Sequence, residues 1–176
     1  MPALTLGSRK DPQGPAGPVP VKGLRIPPPI LTLLCAAAMW VLANHWPLRR
    51  IVAAPWTHFG WWLMDISAVA PILAFVQFRT VGTTLNPMSP SSATELVTWG
   101  VYAWTRNPMY LSLAVLLCGW AISLGTLSAL LGPILFVPVI RYFQIDREER
   151  ALSLLFEGQY EHYCRNVGRW FGRRSC

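Results

Sequence analysis

AWTRNPMYLSLAVLLCGW, residues Ala103 to Trp120, joins a polar cluster directly to an apolar run. Asn107 is a good helix N-cap, and Pro108 fits the first helical position, where its missing N–H is no loss. A helix is therefore predicted to start at Pro108. Capping gives no reason for Arg106 and Tyr110 to flank that start. They read either as interfacial anchors, the arginine snorkelling and the tyrosine at headgroup level, or as parts of a site at the mouth of the helix.

The run that follows has three companions. Ile30–Trp46, Phe59–Phe78, Pro108–Leu124 and Thr126–Ile145 are all apolar, and each approaches the ~20 residues that cross a hydrocarbon core. In a chain of 176 residues, 53% hydrophobic and 13% charged, these runs exclude an ordinary soluble domain. The fold class expected is all-α, a multi-pass membrane bundle of about four transmembrane helices. A C-terminal helical hairpin turns at Gly125, and a cytoplasmic C-terminal helix follows it. Pro133 and Pro138 are expected to kink the fourth helix and open space beside it. Residues 1–28, rich in Pro and Gly, read as a disordered cytoplasmic tail without a cleavable signal, and residues 29–176 as one membrane domain. Ser91 or Ser92 is expected to start a short interfacial helix reaching Leu96.

The formal charge of +7 does not point to nucleic acid, because the basic residues sit at the ends of apolar runs. With the N-terminus inside, thirteen of the fifteen Lys and Arg face the cytoplasm and only Arg49 and Arg50 lie outside. That is the positive-inside pattern of a protein whose partner is membrane lipid. Cys35, Cys118, Cys164 and Cys176 show no CxxC spacing, and His45, His58 and His162 are dispersed, so no metal site is expected. Asp65 is an intramembrane acid near the outer end of the second run, assigned to water or His45.

On the cytoplasmic side three groups should meet. They are Thr83–Pro87, then Tyr102 with Arg106 to Tyr110, and then DREERALSLLFEGQYEHYCRNVGRWF from Asp146. A helix N-terminus beside an arginine suits a carboxylate or phosphate. A glutamate suits ribose hydroxyls or an ammonium, and aromatic faces suit a nucleobase or a sulfonium. S-adenosylmethionine carries a carboxylate, an ammonium, a ribose, an adenine and a sulfonium, while a dinucleotide satisfies many of the same donors. The bland reading of Glu148 and Glu149 is a solvated helix face with Asp146 and Arg150 paired at i,i+4.

GTTLNP, LVTWGVYAWTRNPMYLS and DREERALSLLFEGQYEHYCRNVGRW together resemble the isoprenylcysteine carboxyl methyltransferase family and its phospholipid methyltransferase relatives. The resemblance covers Gly82 to Trp170, about half the chain, and implies a catalytic core over residues 82–170. It implies S-adenosylmethionine as methyl donor and a hydrophobic or lipid-like acceptor methylated on a carboxylate, thiol or amine. As donor-binding residues it implies Tyr102, Arg106, Asn107, Pro108, Tyr110, Glu148, Glu149, Tyr160 and Tyr163, with Arg106 and Glu148 catalytic. The chain departs from the pattern at Asn107, where histidine is frequent, at Glu157-Gly158, and at Gly168, where proline is usual. A sterol-reductase-like branch using NADPH is similar in the same region, but there Asn precedes the tyrosine, and here Met109 does. A non-enzymatic membrane scaffold is the third reading. The charge distribution is tested by topology. Reporter fusions after Arg79 and at the C-terminus are expected to report cytoplasm and one after Arg50 the outside, and an outward C-terminus would separate the parts of the site.

Overall fold

The computed structural model describes residues 27–81 and 96–172. The expected tail up to residue 26, the Thr83–Pro87 group and the helix start at Ser91 or Ser92 lie outside these residues. The order of elements is α1 (Pro28–His45), α2 (His58–Ser67), α3 (Val69–Val81), a 3₁₀ turn (Gly100–Ala103) and α4 (Pro108–Leu124). A 3₁₀ turn (Leu127–Leu130), α5 (Leu131–Ile140), a π turn (Arg141–Ile145) and α6 (Asp146–Asn166) complete it. Among the described residues the structure is helical, apart from one isolated antiparallel bridge between Arg50 and Thr126.

Three helical stretches, Pro28–His45, His58–Gln77 and Leu127–Asn166, are long and apolar enough to cross a membrane, and α4 is an apolar helix of 17 residues. Their outward faces carry exposed Leu33, Trp40, Trp61, Trp62, Ile72 and Leu135, which is the arrangement lipid requires. The second apolar run is broken at Ala68, between α2 and α3. Pro71 explains the break, since it has no N–H to offer Ser67 and its ring crowds that carbonyl.

Helix α4 is the centre of the bundle, packed against α1, α2, α3 and α5. Its Tyr110, Ala114, Leu117 and Ala121 are buried with Met39 of α1 and with Ala129, Phe136 and Ile140 of the return helix. Trp120 donates its indole N–H to Ala36 O at 3.1 Å and meets Trp61 edge-on. Gly125 ends α4 with φ 67°, ψ 15°, a left-handed cap that glycine adopts without strain. The two loops at this end of the bundle then bind each other, Ile51 N–H to Gly125 O at 2.9 Å and Leu127 N–H to Arg49 O at 2.8 Å. Asp65 is exposed on α2 and makes no ion pair with His45, which packs on Trp46 instead.

Helices α2 and α4 approach at two glycines. A methyl group on Gly60 would overlap the Gly119 carbonyl and the Ser123 side chain, and one on Gly119 would stand 2.7 Å from the Gly60 carbonyl. Because backbone atoms are involved, the helices would have to separate. Gly60→Ala is expected to lower unfolding free energy in detergent by about 1–3 kcal/mol, the range for overpacking. An unchanged unfolding midpoint would refute the close packing.

Candidate functional site

The site starts where α4 starts. Asn107 occupies the N-cap position but makes no side-chain cap bond, contrary to the simplest reading of the sequence. Its amide instead donates to Arg169 O at 3.2 Å, and its own backbone N–H is taken by Thr105 Oγ1, also at 3.2 Å. Pro108 does stand in the first helical turn. Arg106 lies beside this cap with its side chain only 6% exposed, its Nη1 3.6 Å from Glu149 Oε1 and 2.6 Å from Cys164 Sγ. A surface anchor would not be buried so deeply.

Glu149 reaches that arginine because of how the return helix is wound. Helical residues run from Leu127 to Asn166, 40 in all, with a kink at Glu157, and a π turn begins three residues after Pro138. A π turn bonds i to i+5, so Ile140 and Ile145, five apart, are both fully buried. Glu148 and Glu149 follow Ile145 by three and four positions, the spacings that share its face in an α-helix. Neither acid faces solvent. Glu148 accepts a hydrogen bond from the Tyr110 hydroxyl of α4, and Glu149 turns to the arginines.

The strongest of these is Arg169, just past the end of α6. Its Nε donates to both Glu149 oxygens at 3.1 Å and its Nη2 to Oε2 at 2.5 Å, while Nη1 lies 3.1 Å from Asp146 Oδ1. The hydrogen bonds to Glu149 raise its pKa further. The Asp146–Arg150 pair expected on a solvated helix is replaced by Asp146 with Arg169, and with Arg141 at 4.0 Å. Arg169 was missed in the sequence, where the only signal is an arginine next to Trp170 after the last helix.

A cavity of about 1000 Å³ opens against this cluster. Asp146, Glu149, Arg150, Ser153 and Leu154 line it from the first half of α6 and Tyr160 from the second. Arg106 and Arg141 line it from before α6, and Arg169, Trp170 and Phe171 from after it. Of the site residues expected from sequence, Arg106, Glu149 and Tyr160 therefore share this cavity. Tyr102, Asn107, Pro108, Tyr110, Glu148 and Tyr163 are not in its lining. Tyr163 donates to Tyr102 O at 2.7 Å, packs with Tyr160, and borders a second cavity of about 640 Å³ with His162 and Asn166. Burial pushes the Tyr102 and Tyr163 hydroxyls well above the ordinary tyrosine value and that of Tyr160 to about 12, so all three are neutral. Glu157, in the departing EG pair, has φ 34° inside α6, a left-handed value that a non-glycine residue adopts at a cost.

Against known proteins, the family model described as phospholipid methyltransferase matches residues 55–159, a span holding Arg106, Tyr110, Glu148 and Glu149. The chain is 33% identical over 149 residues to the protein-S-isoprenylcysteine O-methyltransferase of Rattus norvegicus, covering 76% of this chain but 48% of the rat protein. It is 47% identical over 62 residues to an uncharacterized protein of Haemophilus influenzae, covering 35% of this chain and 98% of the other. No solved structure matches.

Glu148 lies beyond Ile145, where the apolar part of the return helix ends. Burial pushes its carboxyl up to about 7; the Tyr110 hydrogen bond opposes that rise and the charge of Glu149 adds to it. The folded chain thus holds this proton more tightly than the unfolded one, and stability falls as pH rises from about 4.5 to about 7. Glu148→Gln removes that dependence. The stability advantage of wild type over the variant is expected to shrink across this interval and level off above about pH 8. Parallel stability–pH curves would show that Glu148 is not the buried acid described.

Proposed function

Because this chain belongs to the phospholipid methyltransferase family, and so is a membrane methyltransferase, we propose that it takes its methyl group from S-adenosylmethionine. The acceptor proposed is hydrophobic or lipid-like, bearing a carboxylate, thiol or amine at the cytoplasmic membrane face. In this reading α4 is the third of four crossings, both termini are cytoplasmic, and α6 runs along the cytoplasmic side.

The observation that carries the reading is the cavity lined at once by Arg106, Glu149, Tyr160 and Trp170. Its chemistry fits the donor part by part. Guanidinium forks suit a carboxylate, ionised acids suit an ammonium or ribose hydroxyls, and aromatic faces suit an adenine and a sulfonium. When bound, S-adenosylmethionine supplies an electrophilic methyl group.

The chain's own work is alignment. Transfer to an acceptor that already bears a lone pair needs the reacting atoms in line more than it needs a base. Arg106, held by Glu149 and backed by Cys164, orients a carboxylate, either the donor's or the acceptor's. Glu149 faces the donor. Glu148, the second residue expected to be catalytic, accepts a hydrogen bond from Tyr110 and does not line the cavity. In this reading it fixes α6 against α4 and is not a contact of the methyl group.

Titration of the purified protein with S-adenosylhomocysteine and with NADPH separates this reading from its rivals. The homocysteine compound is expected to bind and NADPH not to. Glu149→Ala should weaken binding by about 1.5–3 kcal/mol, the worth of a hydrogen bond to a charged group, or roughly tenfold and more. Arg106→Lys keeps the charge but loses the planar fork and should also lose affinity. NADPH binding alone would favour an oxidoreductase. If neither compound binds and Arg106→Lys inserts normally, the scaffold reading stands.

A further inference from the structure

We propose that Arg169 is a positioning residue for the amino-acid end of the donor. It holds the carboxylates of Asp146 and Glu149 together, turned to the cavity, as the recognition pair for an α-ammonium group. The proposal rests on reading the cavity as the donor site.

Asp146 and Glu149 are three residues apart on α6 and both line the cavity. Two carboxylates at this spacing repel each other, and Glu149, with its side chain 13% exposed, has little water to screen it. Arg169 answers both at once. Its Nε and Nη2 grip Glu149 and its Nη1 reaches Asp146, so every guanidinium nitrogen is committed to these two acids. A lysine would offer one point charge where the geometry uses a planar fork.

The backbone that carries the fork is itself fixed. Arg169 O accepts from Thr105 Oγ1 and Asn107 Nδ2, each at 3.2 Å, and Gly168 O accepts from Arg106 N–H at 3.1 Å. A side chain at position 168 would run into the Phe171 and Gly172 carbonyls, which accounts for a glycine where proline is usual in the resembling family. The segment after α6 is thus strapped to the mouth of α4. One short stretch thereby sets the acids relative to Arg106.

The charges then specify the ligand end. Arg141, the further partner of Asp146, has a side chain 58% exposed, so among the less exposed side chains Asp146 and Glu149 are balanced by Arg106 and Arg169 and the inner set is locally neutral. A zwitterion, a carboxylate and an ammonium on one carbon, enters such a set without leaving an uncompensated charge, which in a poorly solvated site is costly. Its carboxylate has Arg106 to meet, and its ammonium has the open sides of the two acids that Arg169 holds in place.

The test compares two ligands that share the adenosine and sulfur but differ at this end. S-adenosylhomocysteine carries the amino acid, and 5′-methylthioadenosine lacks it. Wild type is expected to bind the first more tightly. Arg169→Ala should cut that preference by about tenfold, one charge-assisted hydrogen bond converted to affinity, with methylthioadenosine binding within about twofold of wild type. Arg169→Lys should recover only part of the preference. Parallel losses for both ligands in the Lys variant would make Arg169 a structural strap only, and an unchanged preference in the Ala variant would give it no part in recognition. Should Arg169→Ala abolish folding, the Lys variant decides by the same ratio. Wild type that binds neither ligand would overturn the donor reading itself, and this proposal with it.

Discussion

The carboxylate of Glu149 and the guanidinium of Arg106 are both nearly withdrawn from water, with 13% and 6% of their side chains exposed. Charges so placed are stable only when paired and hydrogen-bonded, and removing one partner of such a pair commonly costs about 3–5 kcal/mol. Their own separation of 3.6 Å is loose, and the tight contact to Glu149 comes from Arg169. The start of α4, the first turn of α6 and the strap after it are therefore held by one electrostatic requirement. Each supplies a charge that the other two cannot bury alone.

That requirement explains the winding of the return helix. An uninterrupted α-helix that buries Ile140 would bury residues three and four further on, which are the exposed Phe143 and half-exposed Gln144. Widening the turn to five residues buries Ile145 instead and leaves Tyr142 and Phe143 outside, packed edge to face. The same shift carries Asp146, Glu148 and Glu149 under α4. Pro138 contributes by lacking the N–H that a regular ladder would use at its position. A π turn here is a local loss in helix geometry offset by placing three acids next to cations and a tyrosine.

How much of this the sequence discloses depends on the distance over which each feature is encoded. The membrane helices are legible because burial in lipid writes a continuous apolar run, and the end of α4 is legible because Gly125 stands alone between two such runs. Arg106, Tyr110 and the Glu148-Glu149 pair are legible as odd polar residues beside apolar ones and as parts of a resembling motif. The break at Ala68 was missed because its cause, Pro71, lies inside an otherwise unremarked run. Asn107 was read as a cap from local rules, yet its amide serves Arg169 O, 62 residues away. Arg169 itself is invisible to spacing arguments, since its partners are Asp146, Glu149, Thr105 and Asn107, fixed only once three segments fold together. The i,i+4 rule gave Asp146 to Arg150. The tertiary partner prevailed because a forked guanidinium in a half-buried site outweighs an exposed helical pair worth a few tenths of a kcal/mol.

The two ends of the bundle differ in what they permit. At the end holding Gly125 the loops are tied by backbone hydrogen bonds, and just below it α2 and α4 touch glycine to glycine, so nothing there can shift without breaking packing. At the other end, beside the backbone bond from Arg106 N–H to Gly168 O, most contacts run through side chains: Tyr110 to Glu148, Tyr163 to Tyr102, Arg169 to its acids. Side-chain contacts can exchange partners with a ligand, whereas a backbone ladder cannot. The cavity is found at the exchangeable end, and its rim carries exposed Leu154 and Phe171 beside Arg141 and Arg150. Under the proposed function, a water-soluble donor and a lipid acceptor have to meet across a boundary a few ångströms wide. A rim that is apolar on some residues and cationic on others, around a charge-balanced interior, is the surface on which both can be held at once.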